Sequence, residues 1–105
     1  MKEGSRKIIQ ISVTTEDEAQ FRAALESGRA DLIHIDAAYS DPGDWRRLTQ
    51  EAHAAGTLAG LRLPQIWRRE ADRFFGAHLE ELKEAGFDRW LFRNPESVMW
   101  FAAQG

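Results

Sequence analysis

The chain of 105 residues contains no cysteine, and this absence excludes several classes of protein. Disulfide bonds, thiolate nucleophiles, cysteine-bound iron-sulfur clusters and thiolate zinc sites all require that residue. No apolar run approaches the length of a signal peptide core or a membrane span. We therefore expect a cytoplasmic protein with no contact with a membrane.

Charge of one sign is also missing, because 14 lysines and arginines face 17 aspartates and glutamates, for a net charge of -3. The balance gives no global signal for nucleic-acid binding. Hydrophobic residues make up 43% of the chain, which is ordinary for a globular protein and enough for one core. We expect residues 1–105 to form a single domain.

Glycine follows a predicted helix three times, at Gly28, Gly56 and Gly86, and an apolar strand follows each glycine. Glycine is the residue that best adopts the left-handed conformation of a helix C-cap. The nearly constant spacing predicts a repeated strand-helix unit. The expected strands are 7–13, 32–36, 58–63 and 90–93.

Three helix starts carry capping signals. The stretch Thr15 to Glu18 matches a capping box for a first helix that ends near Ser27. Asp41 and Asn94 each precede a proline, which predicts an N-cap with proline in the first helical position. A single long helix is expected to present one apolar face after the third strand; its members are Ala71, Phe74, Phe75, His78, Leu79 and Leu82.

The two faces of the predicted strands differ in character. One face is apolar and suits a cover of helices; it carries Ile9, Ile11, Val13, Ile33, Ile35, Ala59, Leu61, Leu63, Trp90 and Phe92. The other begins apolar and becomes polar toward the carboxyl end of each strand; it carries Ile8, Gln10, Ser12, Leu32, His34, Asp36, Leu58, Gly60, Arg62, Leu91 and Arg93. A doubly wound sheet is apolar on both faces, whereas the inside of a barrel can be polar near its mouth. The pattern favours an α/β fold of four parallel strand-helix units, half of a TIM-type barrel of eight strand-helix units.

Half of a barrel leaves one sheet face open and two strand edges unpaired. We therefore expect either self-association or a missing half-barrel as partner, the latter if the chain is a fragment of a larger barrel protein. The mouth is expected to bind an anionic small molecule or a peptide carboxylate, because arginine forks suit carboxylate and phosphate. The alternative is a network of ion pairs that only stabilises the fold.

Four segments together resemble the collagenase-like peptidase family U-thirty-two: Thr14 to Gln20, Ala30 to Asp36, Leu63 to Arg68 and Leu91 to Asn94. The resemblance covers nearly the whole chain but about half of that family's barrel. It implies a barrel fold, a peptidase label of unsettled catalytic type, and relatives that hydroxylate RNA bases or quinones. Some relatives hold iron-sulfur clusters through cysteines, which this chain lacks.

The candidate binding residues are Ser12, His34, Asp36, Arg62, Arg68, Arg93 and Asn94. No catalytic residue is identified. A triad of Ser12, His34 and Asp36 is disfavoured, because residues two apart on a strand are separated by about 6.6 Å. No metal ligand set and no cofactor are expected, since His34 and Asp36 lack a third ligand.

Three function hypotheses stay open at the level of sequence. The first is part of a U-thirty-two-like peptidase barrel that is not competent for catalysis alone. The second is a noncatalytic module that dimerises to complete a barrel. The third is RNA binding through arginines that adjoin tryptophans, as at Trp45 and Trp67, although nucleic acid is the less favoured partner.

Overall fold

The computed structural model describes residues 10–104 of the chain. Four strands form one parallel sheet: β1 (Ser12–Thr15), β2 (Leu32–Asp36), β3 (Leu58–Arg62) and β4 (Arg89–Leu91). Five helices alternate with them: α1 (Glu18–Ser27), α2 (Trp45–Ala54), α3 (Arg69–Ala77), α4 (Leu79–Glu84) and α5 (Pro95–Ala103). Two short 3₁₀ turns, Ala37–Tyr39 and Pro42–Asp44, connect β2 to α2. The fold is α/β, with four parallel strands in a single sheet, as the sequence predicts.

The spatial order of the strands is their order in the chain, β1-β2-β3-β4. Residues from all five helices pack on the same strand face, which we call the helix-covered face. Its buried strand residues are Ile33, Ile35, Ala59 and Leu61, and Phe21, Leu48, Phe75, Leu82 and Phe101 cover them from the helices. Neither hydrophobic cluster includes a strand residue of the opposite face, which we call the open face. In the described part of the chain, the helices therefore cover only one face of the sheet.

The three repeated glycines have the conformation that the sequence predicts. Gly28, Gly56 and Gly86 have φ angles of 68°, 76° and 85°. The amide of Gly28 donates to the carbonyl of Leu25 and closes the end of α1. A residue with a Cβ atom would be strained in this left-handed region.

Two of the three capping predictions are confirmed. Asp41 caps the 3₁₀ turn that leads into α2, and Asn94 Oδ1 accepts a hydrogen bond from the amide of Ser97 at the start of α5. The first helix is capped by Asp17 instead of Thr15, because Asp17 Oδ1 accepts from the Gln20 amide at 2.8 Å. Gln20 in turn accepts from the Glu16 amide, one residue before the cap, so the pair resembles a capping box without matching its reciprocal bonds.

Several other boundaries differ from the prediction, including that of β4, which covers Arg89–Leu91 instead of 90–93. The long helix after β3 is divided at His78, whose φ and ψ of -113° and 23° are not helical. Gly76 precedes the break, and glycine is a poor helix former. The first strand was expected at 7–13 but runs over Ser12–Thr15 in the described residues. Residues 7–9, including Ile8 and Ile9, lie outside the described part of the chain.

Candidate functional site

The carboxyl ends of β2 and β3 bring an acidic and a basic side chain together on the open face. Asp36 and Arg62 are partners in the register of the two strands and each is the last residue of its strand. The Asp36 carboxylate is buried, and its Oδ2 lies 3.4 Å from Arg62 Nε. The convergence that was predicted from the strand ends is thus present for this pair.

Local hydrogen bonds fix Asp36 in place. Its Oδ1 accepts from the Ala38 amide at 2.8 Å, which begins the first 3₁₀ turn. Its carbonyl accepts from the Ser40 hydroxyl at 2.8 Å, and that hydroxyl accepts from the indole of the buried Trp45 at 2.8 Å. A core tryptophan therefore anchors the loop that holds the carboxylate.

Arg62 is less completely used. Its side chain is 28% exposed, yet its Nε atom is buried and makes no hydrogen bond within residues 10–104. The contact with Asp36 is an ion pair whose geometry does not make a hydrogen bond. A buried N–H group without an acceptor costs about 1–3 kcal/mol, and more on a charged group. The Nε–H group of Arg62 therefore lacks a hydrogen-bond acceptor within the described residues.

His34 lies two residues before the end of β2, against Gly60 of the neighbouring strand β3. A Cβ atom on Gly60 would approach His34 Cδ2 to 2.6 Å, so the imidazole occupies the space that any larger residue would fill. Burial lowers the pKa of His34, and the positive charge of Arg62 lowers it further. His34 is consequently neutral at pH 7 and offers one donor and one acceptor.

The other predicted site residues have varied positions. Arg93 lies two residues beyond β4, and its Nε donates to the Leu63 carbonyl at 2.9 Å. Asn94 is occupied by the fold: its amide nitrogen donates to the carbonyls of Pro64 and Gln65, while its oxygen caps α5. Arg68 is an exposed residue at the N-cap of α3 and caps it with no side-chain hydrogen bond.

Ser12 does not belong to this rim. It pairs with Leu32, the first residue of β2, and so lies at the amino end of the sheet. The prediction that it lies near the mouth is wrong, because the strand begins at Ser12 and does not end one residue after it. A triad with His34 and Asp36 has no geometric basis.

An apolar cavity of about 340 Å³ opens at the same end of the sheet, on the side of the helices. It is lined mainly by Ala37, Pro64, Ala71, Phe74 and Phe75. Ala37 follows Asp36 directly, and Pro64 lies two residues after Arg62. The charged pair and the apolar cavity are therefore built on the same two strand ends.

A second cluster of charged groups occupies the amino edge, and the sequence reasoning missed it. His53 Nε2 lies 2.7 Å from Asp88 Oδ2, and the same oxygen accepts from the Ala59 amide at 2.9 Å. Burial opposes ionisation of Asp88, but the Ala59 amide and His53 outweigh it and lower the pKa. Gly60 was also missed as a site residue, although a glycine within a strand is a signal for close approach of another group.

Comparisons with known proteins do not identify this chain: no family model, curated protein or solved structure is significantly similar to it. The similarity to the U-thirty-two family thus stays a prediction from the quoted segments. Within residues 10–104, no three histidine or acidic side chains are grouped so that they could hold a metal ion. No helix in this range is long and apolar enough to cross a membrane.

Proposed function

We propose that the carboxyl rim of the open face binds a small anion, a carboxylate or a phosphate, with Arg62 as the principal donor. The observation that carries the proposal is the buried Arg62 Nε without a hydrogen-bond acceptor. A carboxylate or phosphate at the exposed part of the guanidinium supplies hydrogen-bond acceptors and a negative charge to a group that the fold leaves incompletely bonded. The sheet that presents it is, in this proposal, half of a TIM-type barrel wall.

The neighbours of Arg62 tune the site. Asp36 offsets part of the positive charge of Arg62, so attraction by charge alone is reduced. The site therefore favours an anion whose oxygens match the hydrogen-bonding geometry of the guanidinium. His34 adds a neutral imidazole on the same face. Arg93, held by Leu63, supplies a second guanidinium at the rim.

The apolar cavity favours one kind of anion over the others. The cavity lies on the helix side of the sheet and Arg62 on the open face, so only a ligand long enough to cross the rim at Pro64 can place an apolar group against Phe74 and Phe75, which inorganic phosphate cannot do. A peptide carboxylate is therefore the ligand class we prefer, in keeping with the peptidase resemblance. We propose no reaction: Thr15 Oγ1 donates to the backbone carbonyl of His34, and we identify no hydroxyl that the His34 imidazole could activate.

Titration calorimetry of the purified chain with phosphate, acetate and N-acetyl-leucine tests the site. We expect N-acetyl-leucine to bind most tightly, and Arg62→Ala to weaken it at least tenfold, or about 1.4 kcal/mol. Arg62→Lys keeps the charge but loses the fork, so an intermediate loss is expected. Arg73→Ala removes an exposed arginine of α3 and serves as the matched control. Equal binding by the Arg62→Ala and Arg73→Ala variants would refute the proposal.

The affinity should also depend on pH through His34. A bound anion offsets the charge of Arg62, one of the two causes that lower the pKa of His34. The pKa of His34 is therefore higher in the complex, and binding takes up protons as the pH falls below 6.5. We expect tighter binding at pH 5.5 than at pH 7.5, and a flat profile for His34→Asn.

A further inference from the structure

The last helix is apolar on surfaces where the other helices are polar. Within α5, Trp100 and Phe101 pack against Trp67 and Phe75 of the core. Val98 and Met99 point outward and are 46% and 71% exposed. A helix that is apolar all round is normally buried on all sides. The exposed flank of α5 therefore lacks a partner within the described chain.

The strand that precedes α5 in the chain lies at one end of the sheet. Within residues 10–104, β4 pairs only with β3, and β1 at the far side of the sheet pairs only with β2. Leu91 of β4 is 37% exposed on the open face. Unpaired edges of a parallel sheet invite another strand of the same direction.

Near the opposite edge of the same sheet, α1 carries small exposed residues. In α1, Glu18 and Arg22 pair with Arg47 and Glu51 of α2, so that side of the helix is occupied. On the flank away from α2, the helical period places Ala23 and Ser27, which are small and exposed. A methionine and a valine from another helix can pack closely on such small residues.

Charges at the rim also match. Arg93 follows β4, and the exposed Glu16 follows β1. All four strands run in the same direction, so the carboxyl ends of β4 in one copy and β1 in a second copy share one rim. Arg93 and Glu16, which carry opposite charges, then lie at the same rim on the two sides of the contact.

We infer that a second copy of this chain covers this surface, with β4 and α5 of each copy against β1 and α1 of the other. The contact occurs twice in a twofold pair and closes a ring of eight parallel strands. Closure leaves no strand edge exposed and buries both apolar flanks. It does not depend on the proposed anion site, and either proposal can fail without the other.

Sedimentation equilibrium at micromolar concentration tests the pairing in the wild-type chain and three variants. We expect a mass of two chains for wild type and for Ile66→Glu, a control at another large exposed residue. Met99→Glu and Ala23→Lys each place a charge in both contacts of the pair, so each should weaken dimerisation at least tenfold. Both positions are exposed, so far-ultraviolet circular dichroism should match wild type.

Mixing the two charged variants distinguishes this arrangement from any other dimer. A mixed pair has one contact with glutamate facing lysine and one with native Met99 facing native Ala23, so dimers should form again. A wild-type monomer, a dimer insensitive to Met99→Glu, or a mixture that stays monomeric would each overturn the inference. Masses that grow beyond two chains would replace the closed ring with an open filament and overturn it as well.

Discussion

The two ends of the sheet each hold an aspartate and a histidine, but they use them differently. At the amino edge, Asp88 Oδ2 accepts from the Ala59 amide and contacts His53, so the amide and the imidazole both have a partner. At the carboxyl edge, Asp36 is satisfied by the Ala38 amide while Arg62 Nε is buried without an acceptor. Similar residue types thus give a satisfied structural cluster at one end and an incomplete one at the other. This difference in the completeness of hydrogen bonding, more than the residue types, is the basis of the binding role that we propose for the carboxyl edge.

The largest effect on stability should come from the amino edge. Asp88→Ala removes the acceptor of a backbone amide and the partner of His53, and we expect the free energy of unfolding to fall by about 2–3 kcal/mol. Asp88→Asn keeps an acceptor oxygen and should lose less. Urea denaturation at neutral pH measures both, and an Asp88→Ala variant as stable as wild type would remove the structural role.

The same aspartate has a defined pH signature. Its pKa in the folded protein is below the ordinary 3.8, so its contribution to stability is fully present above pH 3.8. The contribution is lost as the pH falls through the lowered pKa. Denaturation curves from neutral pH to about pH 2 should therefore show an acid limb that is shallower in Asp88→Asn.

A smaller effect is expected at the carboxyl edge, from Gly60→Ala. The added Cβ would lie 2.6 Å from His34 Cδ2 and 3.3 Å from the carbonyl of Arg89. The ring can shift but the backbone carbonyl cannot move as easily, so we expect a loss of about 1–2 kcal/mol in stability. Anion binding should also weaken, because His34 is displaced.

A double-mutant cycle isolates this contact. In a His34→Ala background the nearest atoms to the added Cβ are gone, and Gly60→Ala should then cost less than half as much. If the cost of Gly60→Ala is unchanged by His34→Ala, the contact with the imidazole does not determine the effect.

The sequence predicts the frame of this comparison because its signals are local. The left-handed glycines and the N-caps Asp41 and Asn94 depend only on residues within one turn. The meeting of Asp36 and Arg62 follows from parallel strands that end at one edge. These features required no knowledge of distant contacts.

The features that were not predicted depend on how strands, helices and loops distant in the chain align, which local sequence patterns do not show. The alternation of side chains could not show that β1 is displaced toward residue 15, so Ser12 was assigned to the wrong end of the sheet. That Asn94 bonds the loop at Pro64 depends on a contact 30 residues away in the chain. The pairing of His53 with Asp88 likewise joins a helix to a strand start 35 residues later.

The smallest effect should come from the surface of α1 and α2, which belongs to neither end of the sheet. Hydrogen bonds from Arg47 and then Arg22 lower the pKa of Glu18 to about 2. Its contribution to stability is present above pH 4.5 and is lost as the pH falls toward 2, a window that overlaps the one for Asp88. Glu18 is exposed, so solvent and salt screen its pairs. Glu18→Gln should therefore change stability only slightly at neutral pH, and added salt should reduce even that difference. Combined with Asp88→Asn, it should flatten the acid limb further than Asp88→Asn alone. In the wild type, salt should reduce the part of the acid limb that Glu18 causes more than the part that Asp88 causes.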